Sequence, residues 1–430
     1  MPWILATALA RWYDPAPMSA LLFLCQRLPF PPNKGEKIRY FHFLRHLSSR
    51  WDVHLGCFVD DPADWDHVPT VRGHVRDLRA VGLDPRLAKL LCTRGVLQGE
   101  PLSVTYFGSR KLRDWVEHVC RTVRPEVALV GSSSMGQYLL DLPARLRPPV
   151  VVTDFVDVDS EKWRAYAEKA RLPMKTVYAR EQATLLRYDR RLGALSDAGL
   201  FVTPAEVELF SRLAPELAGK LTAVENGVDS EFFDPATARE GERPHGDAPT
   251  LVFTGHMDYW PNVDAVLHFA DDVLPRVRAA VPDARFCIVG ANPVPEVRAL
   301  AERPGITVTG RVPDVRPYVV HATVCVAPLR IARGLQNKVL EAMACARPVV
   351  VSPQALEGIA CEPGRDLLRA DDPAAFAAAC IALLRDPARA EAMGAAARAL
   401  VVEGYSWASK MARLDETLAS AVRARGAQGA

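Results

Sequence analysis

The stretch VCVAPLRIARGLQNKVLEAMACARPVVVS, Val324 to Ser352, decides the fold. It opens on a short apolar run that ends near Ala327 and crosses a loop containing Arg330 and Gly334. From Asn337 its apolar residues fall at helical spacing, until a second apolar run in RPVVVS. Strand, helix and strand in that order make one unit of a parallel sheet covered by helices.

The same alternation extends outward on both sides. In the second half TLVFTG, RFCIVG, ITVTG and VCVAP read as strands, with helices from Pro261, Pro295 and Asn337 and an Ala-rich segment after Asp372. The first half repeats the theme with ALLFLCQ, DVHLGCFV, VALVGSS, PVVVTDFV and AGLFVTP, joined by a helix over 37–50 and a long polar helical stretch over 161–195. Strands this uniformly apolar are covered on both faces. The expected fold class is therefore α/β, with two doubly wound Rossmann-like domains that bind ligands at the carboxyl ends of their strands. A boundary is expected within 226–235, ahead of the aperiodic TAREGERPHGDAP.

Composition narrows the function. The 53 Lys and Arg against 51 Asp and Glu leave a net charge of +2, which argues against a nucleic-acid binder. Nine cysteines are scattered without the paired spacing of a zinc site or a disulfide framework, so a reducing, cytoplasmic location is expected. No run reaches the roughly 18–20 apolar residues of a membrane span. The segment before Ser19 lacks a basic stretch ahead of its apolar patch and reads as a tail rather than a signal peptide, with Met18 an alternative start.

The residues just after the strands carry the chemistry. Arg330 lies in the loop above its strand, Gly334 frees the backbone, and Lys338 and Glu341 share one face at the start of the next helix. Two cations beside a helix N-terminus suit a nucleoside diphosphate, and one carboxylate suits ribose hydroxyls. After TLVFTG, Gly255 lets the backbone approach a phosphate and His256 is a candidate donor to it. Gly35, in PFPPNKGEKIRYF, is the corresponding glycine after the first strand. In VVVTDFVDVDSEKW, Asp154 is the candidate to orient or deprotonate an acceptor. Asp157 and Asp159 form an Asp-x-Asp, the metal-diphosphate motif of the GT-A architecture, set aside because that architecture has no second doubly wound domain.

The run from Pro-Leu-Arg (328–330) through Lys338, Glu-Ala-Met-Ala (341–344) and Pro-Val-Val (348–350) resembles the signature of glycosyltransferase family 4. ENGVD (225–229) resembles its interdomain link and YSWASKMARLDETL its terminal helix. GHMDYWPNVDAV and FPPNKGEKIR resemble the branch associated with exopolysaccharide synthesis and exosortase (PEP-CTERM) systems. The resemblance implies a GT-B fold divided as a tail (1–18), an acceptor-side domain (19–228), a nucleotide-sugar domain (229–405) and a C-terminal helix (406–430) that crosses back to the first domain. It implies a metal-independent hexosyltransferase that retains anomeric configuration and takes a UDP- or GDP-linked sugar as co-substrate rather than a bound cofactor. Arg333 stands where the family has a donor-contacting Glu. No protein nucleophile stands out, which agrees with front-face attack assisted by the leaving phosphate.

The expected acceptor is a saccharide or a lipid-linked saccharide. Two segments, EKIRYFHFLRHLSSRW and EKWRAYAEKARLPMKTVYAREQATLLRYDRR, interleave basic and aromatic residues. In the first, Ile38, Phe41, Leu44 and Leu47 form an apolar stripe read as core; the second suits steering of an anionic lipid-linked acceptor, with peripheral contact at the inner face of the cell membrane as the expected location. Two other functions fit the scaffold: a nucleotide-sugar 2-epimerase, which needs no acceptor, and a non-catalytic sugar-nucleotide-binding subunit.

Overall fold

The computed structural model describes residues 18–32, 34–238, 244, 246–332 and 335–429. All of the expected tail except Met18, together with Arg333 and Gly334, lies outside the described residues. The chain separates into two compact units, one ending at Asn226 and taking in residues from Met411 onward, the other spanning Gly227–Lys410.

The first unit holds strands β1 (Ala20–Cys25), β2 (Asp52–Val59), β3 (Asp77–Gly82), β4 (Val127–Gly131), β5 (Val150–Val156), β6 (Ala198–Phe201) and β7 (Leu221–Ala223). They form a seven-stranded sheet in the order β3-β2-β1-β4-β5-β6-β7, and every pairing is parallel. The central strands are buried from Leu21 onward in β1 and throughout β4, as their near-continuous Leu, Val and Phe content requires. Within this unit the Trp407–Gly429 helix buries Met411, Leu414, Leu418 and Ala421. His46 and Arg50 both grip its Asp415, at 2.9 and 2.5 Å.

The second unit holds β8 (Thr250–Thr254), β9 (Arg285–Val289), β10 (Ile306–Val308), β11 (Val324–Ala327), β12 (Val349–Val351) and β13 (Leu368–Arg369). Their order is β10-β9-β8-β11-β12-β13, again all parallel. The opening stretch thus supplies β11, the Asn337–Ala344 helix and β12.

Two expectations change. The polar stretch over 161–195 is two helices, Asp159–Lys169 and Met174–Leu195, packed against each other as a hairpin. The Gly35–Leu47 helix buries Tyr40, Phe43, Leu44 and Leu47 along with Lys37 and Arg39, while Ile38 and Phe41 are half-buried. Its register follows two internal ion pairs, Lys37 to Asp64 at 2.5 Å and Arg39 to Asp154 at 2.7 Å, rather than the apolar count alone.

Candidate functional site

Each sheet reverses its strand order at one place, between β1 and β4 in the first unit and between β8 and β11 in the second. Loops leaving the carboxyl ends of strands diverge there and leave a crevice for ligand. In the second unit those loops carry Gly255 and His256 after β8 and Pro328 to Arg330 after β11.

The floor is built from backbone. Beyond the strand ends, Gly255 N–H donates to the Val289 carbonyl at 3.0 Å, Gly290 N–H to Gly310 at 3.2 Å, and Met257 N–H to Ala291 at 2.8 Å. A Cβ on Gly290 would sit 1.6 Å from the Gly255 oxygen, and one on Gly255 would sit 2.6 Å from the Asn262 Nδ2 and 3.2 Å from the Lys338 Nζ. Only glycine permits this approach.

Lys338 enters on the first turn of the Asn337–Ala344 helix, whose N-cap residue Gln336 makes no side-chain cap bond and whose positive dipole end favours an anion. Its ammonium donates to the Asn262 Oδ1 and lies 4.2 Å from the centroid of Phe253. Asn262 is itself fixed by donating to the His256 carbonyl at 2.9 Å. Burial pushes Lys338 down to about 7, against the opposing charge of Glu341. Burial likewise pushes Glu341 up to about 7, against the charge of Lys338. An anionic ligand would raise the Lys338 pKa, so binding takes up a proton once the free protein has lost it. Affinity for a nucleoside diphosphate should therefore weaken by up to about tenfold per pH unit above roughly 7. Calorimetry near pH 8 in buffers of different ionisation heat should register the uptake; pH-independent affinity across 7 to 9 would contradict it.

Arg330 is anchored rather than loose. Its Nε donates to the Asp264 Oδ2 at 2.9 Å and a terminal nitrogen bonds the other oxygen. Asp264 is buried, and the Arg330 side chain is 56% exposed, so the remaining donors of its fork face outward. The Ser352 hydroxyl donates to the Leu329 carbonyl at 2.6 Å and ties down the loop that carries it. Asn262 and Asp264, both on the Trp260–His268 helix that Pro261 opens, thus hold the two cations. Sequence reasoning missed them, although a polar pair two apart in an otherwise apolar helix start is a legible signal. His256 is exposed beside them.

In the first unit the expected residues are differently placed. Asp154 is 0% exposed, and Arg39, 1% exposed, takes both its oxygens at 2.7 and 2.9 Å. Arg39 also donates to the Val224 carbonyl and to Asn226. This is a correction: a carboxylate sealed in the sheet by a bidentate arginine cannot reach an acceptor hydroxyl. Gly35 starts its helix, and a Cβ there would meet open space, so nothing among the described residues demands glycine. Asp157 and Asp159 both bond Lys162 at 2.8 Å.

A carboxyl unnoticed in the sequence lies on the Met174–Leu195 helix. Asp189 is buried, its Oδ1 has no partner among the described residues, and burial pushes it up to about 8 against a hydrogen bond from Ser133. It is protonated in the native protein and ionised in the unfolded chain between about pH 4 and 8, so unfolding releases a proton there. Stability should fall as pH rises through that window, by up to about 1.4 kcal/mol per pH unit. Asp189→Asn should flatten that slope in urea titrations; an unchanged slope would assign the dependence elsewhere.

Residues 248–386, most of the second unit, match the family model described as glycosyl transferases group 1. That segment is similar to the domain this family model describes. The chain is 31% identical over 258 residues to the GDP-mannose-dependent alpha-(1-6)-phosphatidylinositol monomannoside mannosyltransferase of Mycolicibacterium smegmatis, covering 55% of this chain and 66% of that one. It is 31% identical over 231 residues to D-inositol 3-phosphate glycosyltransferase 1 of Catenulispora acidiphila, covering 49% and 53%. The matches thus span less than two thirds of either relative. Among solved structures, Anabaena Alr3699/HepE in complex with UDP superposes with a TM-score of 0.61 at 14% identity, covering 93% of this chain and 100% of that one. Sucrose-phosphate synthase from Thermosynechococcus elongatus gives 0.59 at 20% identity, covering 94% and 100%. The likeness at these identities is one of fold: two Rossmann-like domains of the GT-B type.

Proposed function

We propose that this chain moves a sugar, with retention of configuration, from a nucleoside diphosphate donor onto a saccharide or lipid-linked acceptor. The observation that carries the reading is the convergence of Arg330, Lys338 and an uncapped helix start on one glycine-floored crevice, with each cation fixed by a partner on the Trp260–His268 helix. Preorganised cations aimed at a leaving diphosphate stabilise the charge that develops as the glycosidic bond breaks. Gly255 and the adjacent His256 loop would underlie the phosphates and Glu341 would hold the ribose, while Gly334 and Arg333 keep the donor-side roles that the sequence suggests. No metal has a part in this reading.

GDP-linked mannose is the first donor to try, because the mycobacterial relative is named for it; UDP-linked sugars come second, because HepE was solved with UDP. The lipid-linked acceptor rests on the same relative's name, and a place in exopolysaccharide synthesis rests on GHMDYWPNVDAV and FPPNKGEKIR. No helix among the described residues is long and apolar enough to cross a membrane.

Thermal unfolding with GDP, UDP, ADP and TDP, each with and without chelator, tests donor binding. One nucleotide at about a hundred times its Kd should stabilise by roughly 2.7 kcal/mol, insensitive to chelator. Product analysis with and without saccharide acceptors then separates transfer from 2-epimerisation, which would proceed without one. Binding without turnover on any acceptor would leave only the non-catalytic reading, and no shift with any nucleotide would overturn the proposal.

A further inference from the structure

The Asp159–Lys169 and Met174–Leu195 helices form a hairpin whose two ends differ sharply. At its base Leu185, Tyr188 and Leu192 are buried in the first unit. Around the turn, Tyr166, Leu172, Met174 and Val177 are all exposed, and Leu172, at 76%, is more exposed than any other large apolar side chain described. Four such residues within twelve positions make a patch, whereas isolated exposed apolar residues are ordinary.

The charges at the patch that lack an ion-pair partner among the described residues are all positive. Lys169, Arg171 and Lys175 are exposed and make no ion pair among the described residues. The one acid between Tyr166 and Tyr178, Glu168, is held by Arg164 at 2.5 Å. Behind the tip Trp163, Tyr166 and Tyr178 contact one another, with ring centroids 5.5–6.0 Å apart. That cluster braces the hairpin and sets amphipathic rings behind the apolar end, the side-chain class that collects at a bilayer's polar boundary.

We propose that this hairpin tip docks on an anionic lipid bilayer, with Leu172 and Met174 entering the headgroup boundary and Lys169, Arg171 and Lys175 meeting lipid phosphates. Long basic side chains can bury their stems beside apolar neighbours and keep their charges at the headgroups. A protein partner would need an acidic rim around an apolar socket, whereas an anionic bilayer supplies both in one surface. The inference does not depend on the sugar-transfer reading, because no residue of the nucleotide crevice takes part.

Co-sedimentation of the full chain with phosphatidylcholine vesicles, and with vesicles that also contain phosphatidylglycerol, tests it. The protein should pellet with the anionic vesicles and stay in solution with the neutral ones, and added salt should release it. The triple variant Lys169→Gln, Arg171→Gln, Lys175→Gln should lower the partition coefficient about a hundredfold, from three surface cations. Leu172→Asp with Met174→Asp should weaken it at least as much. Both variants alter exposed side chains, and unchanged melting would show that the fold survives. Failure to pellet with anionic vesicles at low salt overturns the proposal, as does binding that both variants leave intact. So does tip-dependent self-association, seen by sedimentation velocity, in place of vesicle binding.

Discussion

Lys338→Ala is expected to abolish nucleotide-induced stabilisation and to lower turnover by at least about 10²–10³-fold, the usual cost of removing one preorganised group at a developing charge. The variant should nevertheless unfold no earlier than the wild type when no ligand is present. Burial pulls this lysine down to about 7, and each unit of depression represents roughly 1.4 kcal/mol by which the folded state disfavours the charged form. Removing the ammonium relieves that cost, at the expense of a bond to Asn262 and a contact with Phe253. A variant that keeps or gains stability while losing function is the signature of a group retained for ligand rather than for folding. Asp264→Ala and Asn262→Ala should give weaker versions of the same split, since each loosens a cation without deleting it. A Lys338→Ala protein whose melting still responds to nucleotide would move the phosphate contact away from this helix.

The parts of this site written in local pattern were readable, and those written in long-range contact were not. Apolar runs placed the central strands of both sheets, and helical spacing after Asn337 put Lys338 and Glu341 on one face. Strand β3, DLRAVG, escaped notice because an edge strand with exposed positions lacks a continuous apolar run, and β7 has only three residues. Asn262 and Asp264 gained meaning only across 76 and 66 residues of chain, where they meet Lys338 and Arg330. The resemblance in the motifs singled out Arg330 and Lys338 but was silent on what holds them still. Asp154 misled for the opposite reason. An acid at a strand end reads as functional, and its partner lies 115 residues earlier in the chain.

That misreading yields the second large effect. Asp154→Ala should cost about 3–5 kcal/mol, because it leaves the buried Arg39 guanidinium without its carboxylate. For a unit of this size that is a fall in melting temperature of roughly 10 °C. Arg39→Met should cost a similar amount by leaving the carboxylate unpaired, and should also release the Val224 carbonyl and Asn226, which Arg39 ties to the Gly35–Leu47 helix. The double variant Arg39→Met, Asp154→Leu should be more stable than the sum of the single losses predicts. Two apolar residues of similar volume leave no buried charge, and the pair's coupling is what a double-mutant cycle isolates. A functional aspartate would behave otherwise: Asp154→Ala would melt like the wild type, turnover alone would collapse, and restoring apolar packing at position 39 would rescue nothing. The cycle separates the two because burial makes the partner's loss a folding cost, whereas a proton acceptor in a solvent-open site can be removed without one.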